Sequence, residues 1–461
     1  MKLNLIDEVL SNAGNGDSCS VYGRVSKIRN QKDTVFFDIL DHTGKLQIVA
    51  EKLKYDDRQY LKKITPGSYV YIEGTMNYDN GQPEVRSNCL KVLSYATLPL
   101  SPSPWSIDGT DPSFGNQVFD YPGFYIANPQ RAAVLRIETN FLRSIHDYFQ
   151  YNRFTHVEPP ILTDKTLYSE DNAVKTRIHG EDIFLTQCST FELEPFALVF
   201  GKVYTISPAF RNEKGGSKKH LAEYTHTKAE SLLVDIEDLM YLSGDMLFNS
   251  MNSTLEKSHK ELKLLGKDVN TEPIHPKNHE RMTYDEAVKI AQSKGSKIEY
   301  GEGLSNQDER ILTKHVGDKY LWIQFPPFSS EGFPYKRKPG QKHLSMTCDL
   351  IAPNGAGEII GVAEKTTDAD ELIENLIEKG KKDCIRDYWQ YILLRKYGLP
   401  QHGGIGASPE RIVYGLFGLD HIRLTKAWPR YPDRKIRNRN FPLNPWEDDD
   451  IQRLIDKYEI Q

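Results

Sequence analysis

Short apolar stretches separated by turn residues fill the chain between residues 19 and 96. The stretches SVYGRVSKI, TVFFDILD, KLQIVA and YVYIEG are rich in β-branched and aromatic residues, and turn signals stand at 41–44 and 65–67. About five short strands in so small a segment are typical of a Greek-key barrel of the OB type. The pattern therefore predicts an OB-fold barrel at the N-terminus.

From Arg131 the pattern becomes helical. Ile137, Phe141, Ile145 and Phe149 recur every four residues and form an apolar face along one side of the helix. We expect this face to contact a partner subunit. The helix is followed by the segment 156–162, which is strand-like and contains two prolines.

The rest of the chain mixes strand and helix patterns. Strands and loops are predicted over 183–234, helices over 282–293 and 367–379, and strands within 318–328 and 344–352. This mixture predicts an α+β fold, with an antiparallel sheet flanked by helices. The segment 98–116 is rich in proline, serine, glycine and aspartate, as expected of a linker. We therefore predict four parts: a barrel over 1–97, a linker over 98–130, an α+β domain over 131–434 and a C-terminal extension over 435–461.

The bulk composition excludes little. The chain has 59 basic and 64 acidic residues, and a net charge of −5 is compatible with a nucleic-acid partner if basic residues cluster. The segment 423–439 is strongly basic, as expected of a polyanion contact or a solvated tail. Five scattered cysteines without a CxxC pair indicate reduced thiols. No signal peptide is visible and no stretch approaches roughly 20 apolar residues, so we expect a cytoplasmic protein without membrane segments.

Residues 200–226 combine two predicted strands with a basic, glycine-containing loop. The first strand ends at Arg211, the loop reads KGGSKK, and the second strand begins after His220. Such a hairpin can lie over a triphosphate, because an arginine fork matches an α-phosphate and a carboxylate together and Tyr224 can stack on adenine. An ordinary charged hairpin has the same pattern.

A glycine-rich segment, HGGIGASPER, spans residues 402–411. Glycines such as Gly406 let a backbone approach a nucleotide closely, and Arg411 opens the following helix. No GK[ST] follows, so the segment is not a P-loop.

Together with the helix that ends before Pro159 and Pro160, these segments resemble motifs 1, 2 and 3 of the class II aminoacyl-tRNA synthetases, in the same order. The similarity is to subclass IIb, the aspartyl/asparaginyl branch. The stretches LTQCS, HLAEYTH, HGG, HIR and WPR are similar to the asparaginyl enzymes. The resemblance implies formation of an acyl-adenylate from ATP, transfer of the acyl group to tRNA, an anticodon-binding barrel and a homodimer assembled through motif 1.

The resemblance also implies roles for individual residues. The catalytic residues would be Arg211, which contacts the α-phosphate and the reacting carboxylate, Arg411, which contacts the γ-phosphate, and Glu358. Asp349 and Glu358 would hold Mg²⁺. The ATP-binding residues would be Arg211, Glu213, His220, Tyr224, Asp349, Glu358, Gly406 and Arg411. The positions against the substrate acid would be Glu170, Thr190, Leu193, Glu194, Lys228 and Lys365.

The acid-binding positions depart from the family pattern, whereas the ATP positions keep it. Leu193 stands where enzymes that use aspartate carry lysine, which favours asparagine. Thr190 and Lys228 replace a glutamine and an acidic residue that contact the substrate ammonium. Lys365 stands in place of the arginine that binds the substrate side chain, and Ser408 replaces the third glycine of motif 3.

Lys228 reverses the charge expected beside an ammonium group. Glu170 and Glu194 can take over the ammonium, or the substrate is an asparagine relative with a changed α-substituent or an added anionic group facing Lys228 or Lys365. Lys228 can also turn outward, or pair with Glu230 or Glu194.

Three functions follow from these patterns. The first is activation of asparagine or a close analogue and its transfer to tRNA. The second is a diverged paralogue that uses the adenylate for tRNA-independent amide-bond formation with a non-standard acid or a small amine. The third is a catalytically silent regulator or RNA-binding subunit, against which the retained Arg211, Glu213, Asp349, Glu358 and Arg411 argue.

Overall fold

The structure of the protein is a computed structural model. It describes residues 4–52, 61–79, 81–97, 128–167, 170–212, 218–266, 274–353, 355–430 and 449–458. The chain divides into two compact units, residues 1–107 and 108–461, and this boundary falls within the predicted linker. Most of that linker, Glu213 and much of the C-terminal extension lie outside the described residues. None of the described helices is long and apolar enough to cross a membrane.

The N-terminal unit is a closed five-stranded barrel in the order β1-β2-β3-β5-β4. Its elements are α1 (Ile6–Asn12), β1 (Ser18–Asn30), β2 (Thr34–Leu40), β3 (Lys45–Glu51), β4 (Tyr69–Asp79) and β5 (Gln82–Ser94). Alternate residues such as Val21, Ile39 and Ile72 point inward and form one core. The register between β4 and β5 shifts at Gly74, where a side chain would overlap the backbone carbonyl of Arg86. The predicted OB-fold barrel is confirmed.

The C-terminal unit is built on an eight-stranded sheet in the order β12-β13-β16-β17-β18-β11-β10-β6. The strands of this unit are β6 (Thr155–His156), β7 (Leu162–Thr163), β8 (Val174–Ile178), β9 (Glu181–Leu185), β10 (Lys202–Phe210), β11 (Glu223–Leu232), β12 (Glu280–Thr283), β13 (Leu321–Gln324), β14 (Arg337–Lys338), β15 (Gln341–Ser345), β16 (Thr347–Ala352), β17 (Gly357–Glu364) and β18 (His402–Ala407). The strands from β13 to β10 pair antiparallel, and β12 and β6 add a parallel strand at each edge.

Helices surround this sheet. They are α2 (Pro129–Tyr151), α3 (Thr190–Phe200), α4 (Ile236–Lys257), α5 (His259–Leu264), α6 (Tyr284–Ser293), α7 (Asn306–His315), α8 (Ala369–Glu378), α9 (Trp389–Lys396), α10 (Pro409–Leu416) and, near the C-terminus, α11 (Asp449–Tyr458). The predicted helices over 282–293 and 367–379 correspond to α6 and α8. An antiparallel sheet flanked by helices confirms the predicted α+β class.

Helix α2 has a different role from the one predicted. The Asn128 side chain caps its first turn by accepting from two backbone N–H groups. Its apolar residues Ile137, Phe141, Ile145 and Phe149 are fully buried within a single chain. The prediction that this face contacts a partner subunit is therefore wrong, because packing against the chain's own core already covers it.

Helix α3 lies where the pattern predicted only strands and loops. It contains Pro195 at its middle, and its C-cap is Gly201, whose φ is +76°. The proline lacks a backbone N–H and the sequence carries few polar positions, so the helical period is hidden. The prediction over 183–234 was wrong at this element.

Candidate active site

One face of β11 carries the polar side chains of the site. Side chains on a strand alternate, so Tyr224, His226, Lys228 and Glu230 all project to the same side of the sheet. Strand β11 lies between β10 and β18, and Lys228 stands opposite Gly406 of β18. The glycines of β18 therefore leave room above this row of side chains.

A first cavity lies at the Tyr224 end of this row. Arg211, His220 and Tyr224 line it from one side, and Gly406 and Arg411 line it from the other. The guanidinium carbon of Arg211 lies 5.8 Å from the centre of the Tyr224 ring. Two guanidinium groups, an aromatic ring and a glycine backbone in one cavity fit a nucleoside triphosphate. The structure thus brings together residues that the sequence predicted from two separate segments.

The start of α10 holds Arg411 at the wall of this cavity. The hydroxyl of Ser408 accepts a hydrogen bond from the backbone N–H of Arg411 at 3.4 Å. The Arg411 guanidinium donates to the backbone carbonyl of Glu358 at 2.8 Å. Ser408, which stands in place of a family glycine, therefore serves as the N-cap of the helix that carries Arg411.

Asp349 on β16 and Glu358 on β17 approach each other above Gly361. A Cβ atom on Gly361 would lie 3.2 Å from Asp349 Oδ1 and 3.7 Å from Glu358 Oε1. Burial, followed by repulsion from Glu358 and Glu331, raises the pKa of Asp349 well above its usual value. Burial and Glu358 likewise raise the pKa of Glu331 to about 7. Arg411 lies 3.9 Å from the Glu358 carboxylate and compensates only part of this negative charge. Closely spaced carboxylates fit a hard divalent cation such as Mg²⁺.

Lys219 and Glu309 form a buried ion pair beside the nucleotide cavity. Lys219 Nζ lies 2.6 Å from Glu309 Oε2, and Glu309 also accepts from the backbone N–H of Glu358 at 3.1 Å. A side chain at Gly357 would overlap both groups. Lys219 belongs to the basic loop that the sequence indicated. Glu309 lies on α7, far along the chain, and no motif identified it.

Lys365 and Glu194, two of the predicted substrate contacts, lie together inside the protein. Lys365 Nζ is 2.9 Å from Glu194 and also forms an ion pair with Glu230, while Arg395 lies 2.8 Å from Glu194. The Tyr391 hydroxyl donates to the same carboxylate. Although burial alone would raise the pKa of Glu194, Arg395 and Lys365 hold it well below its usual value. Both predicted contacts are therefore charge-balanced within the chain.

The other predicted substrate residues occupy separate places. Leu193 packs into a small apolar core. Thr190 is buried, with its hydroxyl 3.1 Å from the sulfur of Cys188. Glu170 lies in an exposed 3₁₀ turn, where it pairs with Lys175 at 3.3 Å. Their proposed contacts with the substrate remain predictions.

Lys228 lines a second cavity, which adjoins the first and is also lined by Arg211, Glu331 and Asp349. Its side chain is only 7% exposed. A Cβ atom on Gly406 would lie 3.5 Å from its Nζ. Among the described residues no carboxylate lies within ion-pair distance of that nitrogen. Lys228 therefore neither turns outward nor pairs with its predicted glutamate partners.

His226 lines both cavities and was not assigned a role from the sequence. Burial, followed by the charges of Lys228 and Arg211, lowers the pKa of His226 well below its usual value. The ring is therefore neutral, and its Nδ1 has no hydrogen-bond partner within the described part of the chain. The two-residue alternation from Tyr224 to Lys228 was the signal that could have identified it.

Comparison with known proteins gives matches along most of the chain. Residues 117–432 match the family model of class II tRNA synthetases (D, K and N), and residues 19–93 match that of the OB-fold nucleic acid binding domain. The asparagine–tRNA ligase of Pyrococcus abyssi is 32% identical over 412 residues, which is 87% of this chain and 92% of that protein. The enzyme of Thermococcus kodakarensis is 30% identical over 430 residues, covering 91% and 96%.

Solved structures are similar as well. Asparaginyl-tRNA synthetase from Pyrococcus horikoshii, complexed with asparaginyl-adenylate, has a TM-score of 0.83 and 28% identity, with 92% of this chain and 97% of that one covered. The asparaginyl-tRNA synthetase of Entamoeba histolytica has a TM-score of 0.81 and 25% identity, covering 93% and 98%. With its catalytic-domain match spanning well over half of its residues, this chain belongs to the class II tRNA synthetases of the D, K and N group.

Proposed function

We propose that the protein activates asparagine or a close analogue with ATP as an acyl-adenylate and transfers the acyl group to tRNA. The observation that carries this proposal is the pair of adjoining cavities. One is lined by Arg211 and Arg411 and fits a nucleotide, and Arg211 also lines the second, which leads to Lys228. An acid bound in the second cavity would meet the nucleotide at Arg211. The similarity to asparagine–tRNA ligases supports this reading.

In the first step, a carboxylate oxygen of the acid attacks the α-phosphorus of ATP. The bond from that phosphorus to the bridging oxygen of pyrophosphate breaks, so the products are the acyl-adenylate and pyrophosphate. Arg211 binds the α-phosphate and the attacking carboxylate and stabilises the charge that develops between them. Arg411 binds the terminal phosphate. Binding and orientation carry the step, and no covalent enzyme intermediate is needed.

Asp349 and Glu358 would hold Mg²⁺, which would supply positive charge to the phosphate oxygens of the nucleotide. Support comes from the two carboxylate oxygens that flank the open side of Gly361 and from the raised pKa of Asp349, whose proton a divalent cation would displace.

In the second step, a terminal ribose hydroxyl of tRNA attacks the acyl carbon, and AMP leaves. The N-terminal unit supports a nucleic-acid partner because it matches an OB-fold nucleic acid binding domain. The comparisons give no support to the tRNA-independent alternative. Assembly as a homodimer and a cytoplasmic location remain predictions.

The test is ATP–pyrophosphate exchange with asparagine and its analogues, followed by acylation of tRNA with the acid that is activated best. We expect exchange that requires both the acid and Mg²⁺, and formation of an ester on tRNA. Pyrophosphate exchange without any transfer to tRNA would support the first step and refute the second. Absence of exchange with every acid would refute the proposal.

A further inference from the structure

Two lysines, Lys228 and Lys365, line the second cavity, in which the proposed function places the acid, and they differ in how their charges are compensated. Lys365 contacts the carboxylates of Glu194 and Glu230, and all three side chains are almost fully buried. Lys228 is also more than nine-tenths buried, yet no described carboxylate reaches it. An ammonium group that is removed from water without a partner is costly, so Lys228 is poised for a ligand group that enters the cavity.

The surroundings of Lys228 are positive on its own face of the sheet. Arg211 and Lys228 carry charge, and His226 between them is neutral because of burial and these two cations. The three carboxylates that line the cavity, those of Glu331, Asp349 and Glu358, belong to other elements. A group that enters beside Arg211 and reaches Lys228 therefore meets hydrogen-bond donors and positive potential.

The position of this group on the substrate follows from Arg211. If Arg211 binds the reacting carboxylate, the group next to that carboxylate is the substituent on the α-carbon. The family pattern has an acidic residue at the position of Lys228, against the substrate ammonium. With lysine there, a substrate ammonium would face two cations, Arg211 and Lys228. Coulomb repulsion would lower the affinity for such a substrate by at least about tenfold.

We propose that Lys228 recognises an α-substituent that carries no positive charge and accepts a hydrogen bond, such as a hydroxyl, oxo or acylamino group. This inference rests on the proposed function, since it specifies which acid ATP activates. Lys365, with its charge balanced, contributes shape to the cavity rather than a free charge. In the competing arrangement, the substrate is an amino acid whose α-ammonium group contacts Glu331 on another wall of the cavity.

The experiment compares three acids in ATP–pyrophosphate exchange: asparagine, its 2-hydroxy analogue and N-acetylasparagine. Wild-type protein, Lys228→Met and Lys228→Arg are measured with each acid. We expect the wild type to prefer one of the two analogues without an α-ammonium group over asparagine by at least about tenfold in kcat/KM. Lys228→Met should lower kcat/KM for that analogue about tenfold or more and leave asparagine within about threefold, while Lys228→Arg retains the preference.

Lys202→Met is the matched control. Lys202 is an exposed lysine at the start of β10, next to β11, and its ammonium lies over the Phe154 ring, 5.4 Å from the ring centre. The Lys202→Met variant should keep the wild-type ratio of kcat/KM between the acids. If Lys228→Met does not fold, the preference of the wild type and of Lys228→Arg still decides the question.

The other outcomes refute either the inference alone or the proposed function together with it. A wild type that prefers asparagine, with the same preference in Lys228→Met, refutes the inference and leaves the proposed function intact. A preference for asparagine that is lost in Glu331→Gln assigns the ammonium to Glu331, which also refutes it. Absence of exchange with all acids refutes the proposed function, and the inference with it.

Discussion

Lys365 Nζ lies 2.9 Å from the carboxylate of Glu194, and neither side chain is more than 1% exposed. Arg395 approaches the same carboxylate at 2.8 Å, and Glu230 adds a second negative charge beside the lysine. These four residues come from α3, from β11, from the position directly after β17 and from α9. The ion-pair cluster therefore ties four elements together beside the second cavity, which Lys365 lines.

Lys365→Met should destabilise the C-terminal unit strongly. The substitution leaves the two glutamates with one buried cation between them, and removing one partner of a buried ion pair costs about 3–5 kcal/mol. Thermal and urea unfolding, followed by circular dichroism, measure the change. Lys289→Met, at an exposed position on α6, should change stability by no more than about 0.5 kcal/mol. Equal stability of the two variants would show that the cluster is not needed for folding.

Arg211→Ala and Arg411→Ala should each lower pyrophosphate exchange by several hundredfold. Each removes a guanidinium group from the nucleotide cavity, and charge contacts that act in the transition state are worth about 10²–10³ in rate. Arg177→Ala is the control, because Arg177 lies exposed on a hairpin with Asp182 as its partner. Near-normal exchange in either active-site variant would contradict the assignment.

Much of the ATP side could be predicted from the sequence, because its residues stand in two short segments whose local geometry follows from residue type. Arg211 directly follows β10 and precedes a glycine-containing loop, and Arg411 lies in the first turn of the helix after a glycine-rich strand. Each therefore has its position fixed by elements that the pattern itself predicts. The pairing of β11 with β18 then brings the two segments together.

The acid side could be predicted only in part, because its contacts join residues far apart in sequence. Nothing near Glu194 indicates that Arg395 and Lys365 surround it, so its charge appeared available for a substrate ammonium. The same limit applies to α2. The sequence predicts its apolar face, but the chain's own core covers that face and not a partner subunit. A periodic apolar face shows that burial occurs and does not show what covers it.

The predicted homodimer should use the segment 155–162 rather than the apolar face of α2. Ile161 and Leu162 are 39% and 45% exposed in the single chain, and they follow the edge strand β6 along the sequence. Exposed apolar side chains beside a strand edge are typical of a subunit contact. Sedimentation at micromolar concentration should give a dimer for the wild type and a monomer for Leu162→Asp. Leu264→Asp, at an equally exposed position on α5, should stay dimeric. A wild-type monomer would contradict the prediction.

Without divalent cations, the stability of the protein should fall as the pH rises from about 4.5 to about 7, and Glu331 should account for part of this fall. Burial, followed by repulsion from Glu358, raises the pKa of Glu331 from 4.5 to about 7. Between these values the folded chain binds the proton more tightly than the unfolded chain, so the stabilisation is present at low pH and is lost as the pH passes through the folded pKa.

Glu331→Gln cannot ionise, so the difference in unfolding free energy between wild type and variant should shift by about 1–3 kcal/mol against the wild type over this range. Thermal unfolding in chelator at several pH values measures it, with Glu374→Gln on the exposed face of α8 as the control. A difference between wild type and Glu331→Gln that does not vary with pH would mean that Glu331 keeps an ordinary pKa and carries charge in the folded chain.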